Sequence, residues 1–116
     1  MTIHSSSIID PGAKLGEGVS VGPFSIIGPH VQIGSGTVIG SHVVIEANTI
    51  IGEGCKIFHG ASIGGEPQIM GFEDVSSSVE IGDETVIREY ATIHRSGYKG
   101  GVTRIGKKCL LMAYSH

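Results

Sequence analysis

Aliphatic residues recur at every sixth position of this chain, from Ile3 through Ile9, Leu15, Val21, Ile27, Ile33, Ile39, Ile45, Ile51, Ile57 and Ile63. The same phase continues through Ile69, Val75, Ile81, Ile87, Ile93, Lys99, Ile105 and Leu111, and 18 of these 19 positions hold Ile, Leu or Val. The chain has only 30 such residues, so one phase in six claims 18 of them, which chance does not do. Four residues after each aliphatic position comes a small one: Ser7, Ala13, Val19, Ser25, Val31, Thr37, Val43, Thr49, Cys55 and Ala61. That slot continues through Val79, Thr85, Ala91, Gly97, Thr103, Cys109 and Ser115. Directly after the aliphatic position glycine is frequent, at 16, 22, 28, 34, 40, 52, 64, 82 and 106.

A period of six fits neither a 3.6-residue helix nor a simple alternating strand. It fits short strands that each turn a corner, with one large and one small side chain pointing inward per flat face. Three faces make a triangular coil of about 18 residues, the hexapeptide β-helix pattern. Glycine after the aliphatic position is expected to supply turn dihedrals. Each coil pairs with the next roughly 4.8 Å away, giving a one-dimensional solenoid. The predicted fold is all-β, a single-stranded parallel β-helix forming one domain over 1–116.

Composition agrees. Aromatic residues make up 5% of the chain, Trp is absent and Gly numbers 19, which suits an aliphatic stack better than a ring-based core. A net charge of −3 with no Lys/Arg block favours neither nucleic acid nor an anionic membrane. The start, Met1-Thr2-Ile3-His4, lacks a signal-peptide pattern, and no apolar run approaches the roughly 20 residues of a membrane span. A cytoplasmic location is therefore expected.

The repeat also disposes of two distractions. Cys55 and Cys109 share a column 54 residues apart, or three coils. Even if loops remove one coil, at least ~9 Å separates them, beyond the ~7 Å limit for a disulfide. They read as core thiols. Gly34-Ser35-Gly36 with Gly40 imitates a dinucleotide fingerprint, but its spacing is that of the repeat and it opens no helix.

Function in solenoids concentrates where the pattern breaks. One break runs from Gly65 to Ser78, with Pro67 and Glu73 in small-residue slots; the other runs from Arg95 to Thr103, with Lys99 in an interior slot. A lone charge is not buried, so loops extruded near 65–78 and 95–103 are expected. Counting by 18 places Phe58, Ser76, His94 and Met112 in one column, His59 with Arg95 in another, and His116 one coil beyond His94 on the same face. This His, Arg, Phe and Met surface beside two loops is a candidate groove. His4, His30 and His42 read as solvent-facing. For His94 and His116, the pattern alone fits binding and plain exposure equally.

Three segments carry a resemblance: IIGPHVQIGSGTVIGSHVVIEANTIIG, VEIGD-x₄-IRE-x₂-TIHR and the closing LLM-x₂-SH. They resemble the amino-terminal region of bacterial UDP-N-acetylglucosamine acyltransferases, over essentially the whole chain. The resemblance implies a left-handed coil, a homotrimer with active sites in the clefts between subunits, and no metal or nucleotide cofactor. It implies transfer of a 3-hydroxyacyl group from acyl carrier protein to the 3-position of UDP-N-acetylglucosamine, the first step of lipid A synthesis.

Such chemistry needs a base for the sugar hydroxyl and donors for the thioester oxyanion. The resemblance matches His116 to the first His of an H-x-x-H-D segment whose second His, the base, would follow three residues later. No catalytic residue then lies within the chain. The implied substrate-binding residues are Gln68, which matches the glutamine of a Q-D-L-x-[YF] loop, with His94 of TIHR along the cleft, and His116. Ile69 stands where that loop has a sugar-binding aspartate, and Gly71 where many members have lysine. An Ile cannot accept a hydrogen bond, so a different loop geometry or a 3-amino acceptor sugar is implied.

Other readings remain open from the residues. One is another hexapeptide-repeat trimer, either an acetyl-CoA transferase or a γ-type carbonic anhydrase holding zinc through residues such as His59, His94 and His116. Another is a non-catalytic scaffold. The break at His116, in mid-coil with strand edges unpaired, reads as a fragment or truncated product. The 116-residue chain alone is therefore expected to lack acyltransferase activity; turnover of an acyl carrier protein thioester by it would refute this.

Overall fold

The computed structural model describes residues 1–66 and 76–115. Short strands stack in parallel into three flat faces. The first face comprises Thr2–Ile3, Ser20–Val21, Val38–Ile39, Lys56–Ile57, Val86–Ile87 and Leu110–Leu111. The second holds Ile8–Ile9, Ile26–Ile27, Val44–Ile45, Ser62–Gly65 and Thr92–His94. The third holds Lys14–Leu15, Val31–Ile33, Thr49–Ile51, Ser78–Ile81 and Val102–Ile105. Every coil visits the faces in that order, as the six-residue period requires.

The aliphatic ladder points inward. Ile27, Ile39, Ile45, Ile51, Ile57, Ile63 and Ile87 are all fully buried, and Ile9, Leu15, Ile105 and Leu111 pack against that core from the outer coils. The small column lies buried in the corners, from Val19 through Ala61 and again at Val79, Thr85 and Ala91. Its hydroxyls stitch coils together. Thr37 Oγ1 donates to the Gly52 carbonyl at 2.8 Å and accepts the Cys55 N–H at 3.1 Å. Ser25 does the same with the Gly40 carbonyl and the Val43 N–H, at 2.8 and 3.1 Å. A buried hydroxyl so satisfied escapes the desolvation penalty that would otherwise exclude it.

The glycine expectation needs correction. Among the glycines that directly follow the ladder, only Gly64 takes a positive φ, 78°. The left-handed residue comes two positions later, where the chain uses Phe24, His30, Gly36, His42, Asn48, Gly54, Glu84, Tyr90, Lys108 and Tyr114. The first glycine column is there for close approach. A Cβ on Gly34 would lie 2.6 Å from the Gly52 carbonyl carbon, and one on Gly28 would fall on the Glu46 carbonyl oxygen.

Registers locate both pattern breaks. Regular coils step by 18 residues, as in Ser20↔Val38. The step becomes 30 at Lys56↔Val86 and 24 at Val86↔Leu110. Two coils thus carry twelve and six residues beyond a regular turn. The first excess falls between Gly65 and Ser78, the second between His94 and Val102. Lys99 lies exposed in the second, outside the interior slot that simple counting gave it. Ile69 and Val75, counted into the ladder by sequence, lie outside the described residues.

The two glycine roles can be separated by mutation. Gly28→Ala should lower the unfolding free energy in urea by at least about 3 kcal/mol, the upper range for overpacking. Gly36→Ala, with φ 72° but open space around its Cβ, should lose about 1 kcal/mol. Equal losses would remove close coil approach as the reason for the first column.

Candidate functional site

Where the first excess begins, the strand Ser62–Gly65 breaks regular pairing. Its register with Thr92–His94 shifts between Ile63 and Gly65, so that Gly65 lies opposite His94. Arg95, only 7% exposed, clamps this bulge. Its Nε donates to the Gly64 carbonyl at 3.0 Å and its backbone N–H to the Gly65 carbonyl at 2.9 Å. The buried guanidinium thus fixes the point at which the chain departs from the coil. From the opposite side, Thr103 Oγ1 donates to the His94 carbonyl at 2.9 Å, tying the return from the second excess to the same place. The first irregular segment therefore begins beside His94, and the second begins and ends there.

Of the substrate-binding residues implied by resemblance, His94 is described and half-buried at the end of its strand. Gln68 and His116 lie outside the described residues, as do Ile69 and Gly71. His4, His30 and His42 are exposed, as expected.

Beyond the first excess a fixed step of 18 no longer applies, so His94 leaves the column that Phe58 and Met112 still share. Phe58 stacks between Gly40 and Arg88, and Met112 follows Arg88. The Arg88 guanidinium lies 4.1 Å from the Phe58 ring centroid. His94 instead stands above Gly65, and His59 shares its column with Glu89, not Arg95. The anticipated groove of His94, Phe58 and Met112 is therefore two separate places. Around Phe58, Arg88 bonds Glu89 through Nε at 2.7 Å, and this hydrogen bond holds the Glu89 carboxyl below its usual range.

Sequence reading also missed a line of rings on the left-handed corner. Phe24 and His42 lie 5.2 Å apart, His59 meets Tyr90 edge-on, and Tyr90 stacks on Tyr114 at 5.4 Å. The signal was the 18-residue step from Phe24 to His42, lost once the register lengthened.

The cysteines divide. Cys55 is buried, its Sγ 3.2 Å from the Gly82 carbonyl, and burial pushes its thiol up in pKa. Cys109 is only half-buried, a correction to its reading as a core thiol. Their column runs Cys55, Thr85, Cys109, two coils and not three, because the register steps are 30 and 24. Both are free.

Short strands recurring every six residues on three faces, with excursions at fixed corners, define a hexapeptide-repeat β-helix. The family model for the bacterial transferase hexapeptide (six repeats) matches residues 12–47 and 24–59. The acyl-[acyl-carrier-protein]–UDP-N-acetylglucosamine O-acyltransferase of Sulfurihydrogenibium sp. is 61% identical over 98% of this chain and 42% of its own length. The Aquifex aeolicus protein of that name is 56% identical over 100% of this chain and 45% of its own. A solved UDP-N-acetylglucosamine acyltransferase of Francisella novicida superimposes with TM-score 0.92 at 40% identity, over 97% of this chain and 42% of that one. Over nearly its whole length the chain is thus similar to part of the UDP-N-acetylglucosamine acyltransferases, and its coil has the left-handed sense implied by the resemblance. It spans less than half the length of the curated relatives it matches.

The Arg95 clamp makes a direct prediction. Arg95→Met, which keeps the stem and deletes the guanidinium, should cost about 2–3 kcal/mol in urea unfolding. Arg95→Lys should not restore it, because a point ammonium cannot reproduce the fork geometry. A loss under about 0.5 kcal/mol in both would show that the bulge holds without the clamp.

Proposed function

We propose that this chain is the amino-terminal portion of an acyltransferase moving a 3-hydroxyacyl group from acyl carrier protein to the 3-position of UDP-N-acetylglucosamine. This is the first step of lipid A synthesis, carried out in the cytoplasm by a homotrimer with clefts between subunits. The observation that carries the proposal is the 61% identity over nearly the whole chain to a relative bearing that activity in its name. Among the described residues no helix is long and apolar enough to cross a membrane.

In this reading the base that takes the sugar hydroxyl proton follows His116. The part in hand supplies the framework and the flank on which the acceptor sits. His94 has the placement such a role needs: half-buried, at a strand end held by Thr103 and the Arg95-clamped bulge, where both irregular segments meet the coil. Gln68 and His116 complete the proposed binding set. No metal or nucleotide cofactor takes part. With Ile69 in place of a carboxylate, the acceptor position carries either a hydroxyl, giving an ester, or an amine, giving an amide.

In the full-length protein, His94→Ala and His116→Ala should each lower kcat/KM for the UDP-sugar at least ~10-fold, about 1.4 kcal/mol of transition-state stabilisation. Unchanged kinetics in both would reduce these residues to cleft lining.

A further inference from the structure

Three successive coils of the second face place Glu46, the Gly64–Gly65 bulge and His94 one above another. The middle position has no side chain, and the two outer ones close on the gap. A Cβ built on Gly65 would lie 2.7 Å from Glu46 Oε2 and 3.4 Å from His94 Cδ2. A carboxylate and an imidazole thus border one glycine-sized notch. Neither the Glu46 carboxylate nor the His94 ring makes a hydrogen bond or ion pair among the described residues. Elsewhere on the molecule Glu89 pairs with Arg88, Glu80 with Arg104 and Glu84 with Lys108.

The floor of the notch is rigid. Gly65 is buried, its carbonyl bonded by the Arg95 N–H, and its φ lies outside the left-handed region, so glycine is not needed there for conformation. What glycine leaves is room, beside the corner from which the residues after Glu66 depart. A carboxylate accepts hydrogen bonds and a neutral imidazole either donates or accepts. The ligand chemistry that meets both within a few ångströms is a polyol, with one hydroxyl donating to the carboxylate and a neighbouring one facing the ring.

We propose that Glu46 is a specificity-determining residue that accepts a hydroxyl hydrogen of the acceptor sugar across the Gly65 notch, with His94 as the opposite wall. This rests on the acceptor reading given under Proposed function. Two substitutions test it without touching His94. Glu46→Gln removes the charge from an exposed side chain. Gly65→Ala fills the notch, crowds only the movable end of Glu46 and reaches His94 Cδ2 at ordinary contact distance, so the fold should stand.

Titration calorimetry of the full-length protein with UDP-N-acetylglucosamine should show Kd raised at least about tenfold in each variant, the loss expected for a charged hydrogen bond. The KM for the acyl thioester and the thermal midpoint should stay at wild-type values. Wild-type affinity in both variants overturns the assignment of Glu46 while leaving the acyltransferase reading intact. A wild-type protein that neither binds nor acylates UDP-N-acetylglucosamine overturns the acceptor reading, and the Glu46 assignment with it.

Discussion

The rise of about 4.8 Å between hydrogen-bonded strands governs every position in this molecule. Each coil must lie that close to the next along all three faces, so each residue stacks on its counterpart and must fit that spacing. Isoleucine on isoleucine fills the interior without voids, which is why Ile27, Ile45 and Ile63 follow one another on a single face. At the corner the backbone of one coil crosses so near the next that Gly28 has no room for a Cβ. Where the corner turns, a small hydroxyl can stand in for backbone pairing, as Thr37 and Ser25 do. Packing and hydrogen bonding are here one constraint, because a side chain too large for its column would also part the strands.

The ladder, the three-sided coil and the two departures were legible because an interior stack tolerates little variation. Lys99 betrayed the second departure for the same reason: a charge has no place in an aliphatic column. The columns beyond residue 65 were not legible. Both excesses, of twelve and six residues, are multiples of the repeat, so the aliphatic phase resumes in step after each and hides the change of register. An extruded segment could have any length. These happen to preserve phase, and counting by 18 therefore put His94 with Phe58 when it belongs above Gly65. Only the strand pairing distinguishes a residue in phase from a residue in the coil.

The glycine columns teach a related lesson. Glycine in a repeat invites a conformational explanation, yet here most of the left-handed positions are filled by other residues. Phe24, Tyr90 and Tyr114 accept φ between 59° and 62°. A non-glycine residue there gives up about 1 kcal/mol or more. What it gains is a neighbour: left-handed corners project side chains along one edge of the prism, and Tyr90 stacks on Tyr114 as a result. Offset ring pairs return about 0.5–1.5 kcal/mol, enough to offset the strain. Sequence showed where glycine was common but not which of two demands it met, since steric approach and positive φ leave the same letter.

Regularity is also what allows the irregular part to be specific. A framework pinned by a hydrogen bond at nearly every step holds its outer columns at fixed separations, and a polar group on one coil faces its counterpart without a loop to position it. The departures at Gly65 and after Arg95 are anchored to that framework by a buried guanidinium and a threonine hydroxyl, so they enter and leave at fixed points. At the bulge, as at Gly60, a side chain is missing from an outer column between two that are present; at Gly60 the Tyr90 ring covers the place, whereas here a carboxylate and an imidazole border it. Such a gap is where something other than the chain itself can be held. A polar pair that finds no partner among the described residues is therefore better placed at this gap than along the regular faces.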